Sequence, residues 1–159
     1  MEDDRPPESI PGNATHLHRY ELHKRFADRL RRTPEIDEVR AEPSSFRPTT
    51  VTARIDGTEF GSGPDGDLEI EWRPRDDEDD QFRIQFIPVH GQWSCGWHQD
   101  GTHEELGPAH IQLDHHEQDR ARRSGARFDD GMPMAVLETC LDALREHGTN
   151  PKQLLESGA

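Results

Sequence analysis

Histidines are concentrated in one segment of this chain, and their spacing is the first feature that suggests chemistry. Six of the ten histidines lie within residues 90–116. Imidazole titrates near neutral pH, so a group of histidines can transfer protons, bind a metal ion or contact phosphate. His98, Asp100 and His103 span the end of one predicted strand and the turn after it, and His110 lies on the next strand. If the two strands pair as a hairpin, these four side chains converge at one end of a sheet.

Three interpretations of the histidine segment are open at this point. The histidines can be surface residues on a polar sheet face. They can hold a metal ion, but His103 and His110 lack the i, i+3 or i, i+4 spacing of helical zinc motifs, and no CxxC pair is present. We therefore expect a tight zinc site to be absent or weak, and we expect no cofactor, with the requirement for a divalent metal ion left open. The third interpretation is general acid–base cleavage of a phosphodiester, in which one imidazole accepts a proton and a protonated partner donates one. The candidate catalytic residues of this metal-independent site are His98, Asp100, His103 and His110.

Two basic stretches stand out in a chain whose net charge is −14. Residues 16–32 carry six basic side chains against two acidic ones, and a second basic stretch follows the histidine segment. Local positive charge on an acidic background favours contact with phosphate. Pairing of these arginines with the many carboxylates around them explains the pattern equally well. The candidate RNA-binding residues are Arg25, Arg29, Arg32, Arg122, Arg123 and Arg127.

The composition predicts a protein adapted to high salt. There are 33 acidic residues against 19 basic ones, and only Lys24 and Lys152 are lysines. Abundant carboxylates retain hydration where salt screens weaker charges, and arginine pairs with carboxylate better than lysine does. The two cysteines form no disulfide framework. The N-terminus is acidic and rich in proline, unlike a signal peptide, and no apolar run approaches 18 residues, so we expect a cytoplasmic protein of a halophile.

Hydrophobic periodicity predicts one α+β domain over residues 15–148, between a disordered acidic arm at 1–14 and a tail at 149–159. Apolar residues at helical spacing predict a helix from residue 15 to about residue 33, and a second from about 133 to 147, where Pro133 suits a first turn. Residues 117–131 are predicted to form a loop. Alternating or short apolar runs predict about five strands, near residues 49–55, 68–72, 82–87, 93–97 and 109–113. We expect these strands to form an antiparallel meander with the helices covering one face.

Three short motifs suggest a family. Trp97 to Asp100 is a strand end with an aromatic residue and an aspartate, His110-Ile111-Gln112 is a strand with a leading histidine, and Arg127 to Asp130 leads into the last helix. In this order they resemble the TumE-type toxins of toxin–antitoxin systems, over about residues 68–147. Gln112 stands at the position of the second histidine in that family's His-x-His strand. The resemblance implies a toxin that acts on or binds RNA, as a ribonuclease, with an antitoxin protein as partner.

A different class of function is also open. The protein can be a non-catalytic interaction module whose histidines lie on the surface and whose open sheet edge binds a protein partner. The neighbouring gene distinguishes the two hypotheses: a small helix-turn-helix or antitoxin gene beside this one would favour the toxin, and its absence would favour the interaction module.

Overall fold

A computed structural model of the chain describes residues 19–76, 78–118 and 120–156. The expected acidic arm at 1–14 and the expected start of the first helix lie outside these ranges. The described residues form a single seven-stranded antiparallel sheet in which every strand pairs with the next along the chain. The strands are β1 (Ile36–Glu42), β2 (Thr50–Ile55), β3 (Gly66–Arg73), β4 (Gln81–Pro88), β5 (Trp93–Gln99), β6 (Ala109–His115) and β7 (Ala121–Ala126). The helices are α1 (Arg19–Arg31), α2 (Gly57–Phe60), α3 (Pro133–His147) and α4 (Pro151–Glu156).

The predicted α+β meander is confirmed, but it has seven strands and not about five. Both additional strands lie at the edges of the sheet. β1 occupies a stretch that gave no strand signal, and β7 lies inside the segment that we predicted to be a loop. Edge strands pair on one side only. β1 exposes charged side chains at most of its positions and β7 exposes Arg122 and Arg123, so neither shows the apolar alternation that marks a half-buried strand.

The hydrophobic core lies between one face of the sheet and the helices. Apolar side chains on alternate positions of the central strands, such as Ile70 on β3 and Ile84 on β4, are fully buried against them. From α1, Leu22, Phe26 and Leu30 reach this core, which is the stripe that the helical spacing predicts. The opposite face of the sheet carries polar side chains, and it holds the histidines considered below.

The helices are joined to each other and to the sheet by specific contacts. Arg29 of α1 forms a bidentate ion pair with Glu138 of α3, in which Arg29 Nη2 donates to Glu138 Oε1 at 2.9 Å. Residues after 148, expected only as a tail, form α4, whose Leu154 and Leu155 are buried beside β5 and β6. Within the described part of the chain, no helix is long and apolar enough to cross a membrane.

Thermal stability should depend strongly on salt. The net charge of −14 makes the carboxylates repel one another when they are unscreened, and this repulsion opposes the compact state. We expect the midpoint of thermal unfolding, followed by circular dichroism, to rise steeply from millimolar to molar KCl. Sucrose, which favours burial without screening charge, is the control and should raise the midpoint much less. A midpoint that does not respond to KCl would exclude adaptation to high salt.

Candidate functional site

The histidine cluster forms where β5 pairs with β6. His98 lies directly opposite His110 in the register of this pair, and their ring centroids are 5.4 Å apart. The ring of His103, from the connecting loop, packs edge-on against His110 with centroids 5.2 Å apart. Asp100 follows the end of β5, and one possible ligand atom from each of His98, Asp100 and His110 lies within 4.8 Å of the others. The convergence expected from a β5–β6 hairpin is therefore present.

Two of these histidines are buried although they lie on the face of the sheet opposite the hydrophobic core. His98 is 7% exposed and His110 is 0% exposed. The cover is the β5–β6 loop, which folds back over the strands with His103 in the left-handed backbone region at φ 57°. Gly125 on β7 permits this approach, since a Cβ there would lie 2.8 Å from the carbonyl oxygen of Leu106. The interpretation of His98 and His110 as surface residues is thus wrong.

Gln85 of β4 fixes the orientation of the His98 ring. His98 Nε2 donates to Gln85 Oε1 at 2.7 Å, and Gln85 Nε2 in turn contacts Ser94 Oγ at 2.8 Å. Gly96 lies between Ser94 and His98 on β5, and a Cβ at this position would overlap the Gln85 side chain. The glycine leaves the room that the glutamine needs to bridge its two partners. Because an amide oxygen only accepts hydrogen bonds, Nε2 of His98 carries the proton and Nδ1 has the free lone pair.

Gln112 orients His110 in the same way. Gln112 Nε2 donates to Asp114 Oδ1 at 2.8 Å, and since a carboxylate only accepts, this bond fixes the direction of the amide. Gln112 Oε1 then accepts from His110 Nε2 at 3.1 Å and from Arg123 Nε at 2.9 Å. His110 Nδ1 is buried and has no hydrogen-bond partner among the described residues. Both rings are therefore oriented by a hydrogen bond from Nε2, and the Nδ1 lone pair of each ring is available to a ligand.

Burial also sets the protonation states in the cluster. Desolvation, with smaller contributions from His110 and Arg83, lowers the pKa of His98 to about 4. Desolvation likewise lowers the pKa of His110, although its hydrogen bond to Gln112 opposes this shift. Burial alone would raise the pKa of Asp100, but hydrogen bonds from Thr102 and the neighbouring His110 and His98 bring it below its ordinary value. At neutral pH, His98 and His110 are thus neutral imidazoles beside the ionised carboxylate of Asp100.

A buried connection holds the end of β5 in place beside the β3–β4 hairpin. Asp80 is 1% exposed, and its carboxylate accepts from Trp72 Nε1 and from the backbone N–H of Arg75, each at 2.9 Å. Gln99 Nε2 donates to the carbonyl oxygen of Asp80 at 2.7 Å. Because Gln99 immediately precedes Asp100, this connection fixes the position from which the Asp100 side chain enters the cluster.

A cleft of about 150 Å³ opens next to the cluster on the same face of the sheet. His98 and Asp100 line it on the side of the cluster. The other lining residues are Arg73, Arg83, Glu71, Gln81, Phe82 and Gln99. Among the described residues, each arginine pairs with one carboxylate: Arg83 Nη1 lies 3.5 Å from Glu69 Oε1, and Arg73 Nη2 lies 3.0 Å from Glu71 Oε2. Both guanidinium groups remain partly exposed, so they are available to an anionic ligand.

The six arginines proposed from the sequence do not gather at this site. Only Arg123, which contacts Gln112, has its side chain on the histidine face. Arg29 is occupied by Glu138, as the alternative interpretation of the basic stretch anticipates. Arg25 and Arg32 are exposed on the helix side of the sheet, Arg122 stands opposite Leu113 in register and so points to the core face, and Arg127 is exposed after β7.

Sequence reasoning missed Arg73 and Arg83. Each stands singly in a strand among polar and apolar neighbours, so neither contributes to a run of basic residues. Their alternation with the core residues of β3 and β4 was the only available signal, since it places them on the face opposite the core.

Comparisons of this chain with protein-family models, with curated proteins and with solved structures find no match. The resemblance to TumE-type toxins therefore stays a prediction. What the protein does has to be argued from the site itself.

Proposed function

We propose that this protein binds RNA at the histidine cluster and cleaves its phosphodiester backbone, as the toxin of a toxin–antitoxin pair. The observation that carries the proposal is the position of the cluster at the wall of a cleft lined by Arg73 and Arg83. Arginine binds phosphate oxygens through its planar fork of donors, and imidazole and carboxylate groups are those that move protons or activate oxygen in phosphoryl chemistry. The toxin context and the antitoxin partner rest on the sequence resemblance alone.

The parts of the site divide the chemistry between them. The arginines hold a phosphate of the RNA in the cleft. The buried end, formed by His98, Asp100 and His110, activates the attacking 2′-hydroxyl by accepting its proton, and the oxygen of this hydroxyl forms a bond to phosphorus. The bond from phosphorus to the 5′-oxygen then breaks, and His103 supplies the proton that this oxygen needs. His103 suits this role because its side chain is 31% exposed and its Nδ1 lies 3.8 Å from the carboxylate of Glu105.

The non-catalytic interaction module remains the alternative. Burial of His98 and His110 weighs against it, because surface histidines would not need the glutamine partners and the loop that covers them. Protein binding without any effect on RNA would favour the alternative.

The cleft predicts which arginine matters for RNA binding. Arg83→Ala should weaken binding and reduce the slope of log affinity against log salt by about 1, the effect of one lost phosphate contact. Arg25→Ala is the matched control, since it removes the same charge from the helix side and should leave both quantities unchanged. Fluorescence anisotropy of a labelled RNA, titrated at several KCl concentrations, measures both. If Arg25→Ala weakens binding and Arg83→Ala does not, RNA binds along α1 and the assignment of the cleft is wrong.

A further inference from the structure

The orientation of the two buried imidazoles is the feature that the proposed function leaves unexplained. Gln85 and Gln112 lie on different strands, yet each accepts a hydrogen bond from Nε2 of its histidine. Proton transfer by one imidazole would not require two rings held in the same tautomer with their Nδ1 lone pairs on the same face. Ligation of a metal ion does, because metal-binding histidines are normally fixed by a hydrogen bond from the ring nitrogen that does not bind the ion.

We infer that His98, Asp100 and His110 bind one divalent transition-metal ion. One ligand atom from each residue already lies within 4.8 Å of the other two. Two imidazoles and one carboxylate suit zinc, manganese, iron or nickel better than calcium or magnesium, which prefer oxygen ligands. Three protein ligands leave open positions on the ion, as in metal sites that bind a substrate or water.

An unpartnered buried atom supports the assignment independently of the ligand set. His110 is 0% exposed, and its Nδ1 makes no hydrogen bond within the described part of the chain. A buried polar atom without a partner is costly, and native proteins rarely retain one without a reason. A metal ion at this position would satisfy the lone pair.

The geometry also indicates which ligand moves. Two atoms bound to one ion at about 2.1 Å can be at most about 4.2 Å apart, so binding must draw the three ligand atoms together. His98 and His110 are held by the sheet and by their glutamines, whereas Asp100 lies on an exposed turn. Its Oδ1 accepts from the backbone N–H and the hydroxyl of Thr102, which leaves Oδ2 to approach the ion.

This inference replaces the expectation of an absent or weak metal site. That expectation rested only on the lack of helical histidine spacing and of cysteine pairs. Here the pairing of β5 with β6, and not a helix turn, brings the histidines together. The link to catalysis rests on the proposed function: at the buried end of the RNA site, the ion would act as a Lewis acid toward the phosphate that the arginines hold.

Titration with cobalt(II) chloride tests the site without any RNA. The chain of 159 residues in molar KCl, first treated with a chelator, should bind one cobalt ion per chain by calorimetry and develop visible absorption bands. Asp100→Asn should weaken binding by at least about tenfold, and Gln85→Leu should weaken it by about 10–100-fold, because the glutamine acts as a positioning residue for His98. His116→Ala, which removes an exposed histidine outside the cluster, should bind as the parent does.

The results with these variants distinguish the metal site from the proposed function. Circular dichroism verifies folding, and Asp100→Asn alters an exposed turn, so it reports on the site even if Gln85→Leu does not fold. The absence of saturable binding, or equal binding by parent and Asp100→Asn, would overturn the inference. Cobalt binding without RNA cleavage would keep the metal site and remove the proposed function. RNA cleavage in the presence of chelator by a protein that binds no cobalt would keep the proposed function and remove the metal site.

Discussion

Replacement of His103 by asparagine should lower the rate of RNA cleavage by about 10²–10⁴-fold, the usual contribution of a positioned acid or base. His103 is the imidazole that is open to solvent and lies against the buried end of the site. Asparagine is the suitable replacement because it tolerates the left-handed backbone at φ 57° better than alanine and cannot donate a proton as an acid. RNA affinity should change little, since the arginines bind the phosphate.

The matched control is His116→Asn, which removes an exposed imidazole beyond the end of β6 and should cleave RNA at the parental rate. Cleavage by His103→Asn at the parental rate, in a folded protein, would exclude His103 as the proton donor.

His110→Ala is a poor substitute for this experiment. The residue is fully buried, so its replacement by alanine leaves a cavity and removes one hydrogen bond of Gln112.

The protein should lose about 3 kcal/mol of stability from His98 alone as the pH falls from about 6.5 to about 4. In the unfolded chain, His98 takes up a proton near its ordinary pKa of 6.5, whereas in the folded protein burial lowers the pKa to about 4. Between these values the unfolded state binds more protons, so acid favours unfolding. Above about pH 6.5 both states hold a neutral ring, and this contribution is present in full.

The His98→Gln variant isolates this effect from the titration of carboxylates over the same range. Free energies of unfolding should be measured by guanidinium denaturation at pH 7 and pH 4, in chelator, for the parent and for the variant. The parent should lose more stability than His98→Gln on acidification, by about 3 kcal/mol. If the free energy of unfolding falls equally in the two proteins, His98 is not buried as a neutral ring. The conclusion that Gln85 orients a neutral His98 would then be wrong.

The elements that bury a regular apolar face could be predicted from the sequence. Leu22, Phe26 and Leu30 recur at helical spacing, and β3 and β4 alternate strictly, so these elements are visible as hydrophobic patterns. The edge strands β1 and β7 could not be predicted in this way, because their hydrogen bonds to a neighbour hold them in place and their side chains are mostly polar. α4 was also missed, since six residues with two buried leucines show no period.

The members of the histidine cluster were predictable, but their environment and the arginines of the cleft were not. Proximity of His98 and His110 follows from simple hairpin pairing, which sequence order suggests. Their burial depends on the return of the loop over the sheet, which requires a left-handed His103 and close packing at Gly125, and neither has a sequence signature. The glutamine partners were equally hidden, because Gln85 looks like any polar residue of an alternating strand.

The most direct test of the central claim is incubation of the purified protein with a labelled RNA and with a DNA of the same sequence, in molar KCl at neutral pH. The account predicts that the RNA is cleaved to products ending in a 2′,3′-cyclic phosphate, because the 2′-hydroxyl is the attacking group, and that the DNA, which lacks this group, stays intact. An RNA that remains intact, with and without added divalent metal, would contradict the account, and so would equal cleavage of RNA and DNA.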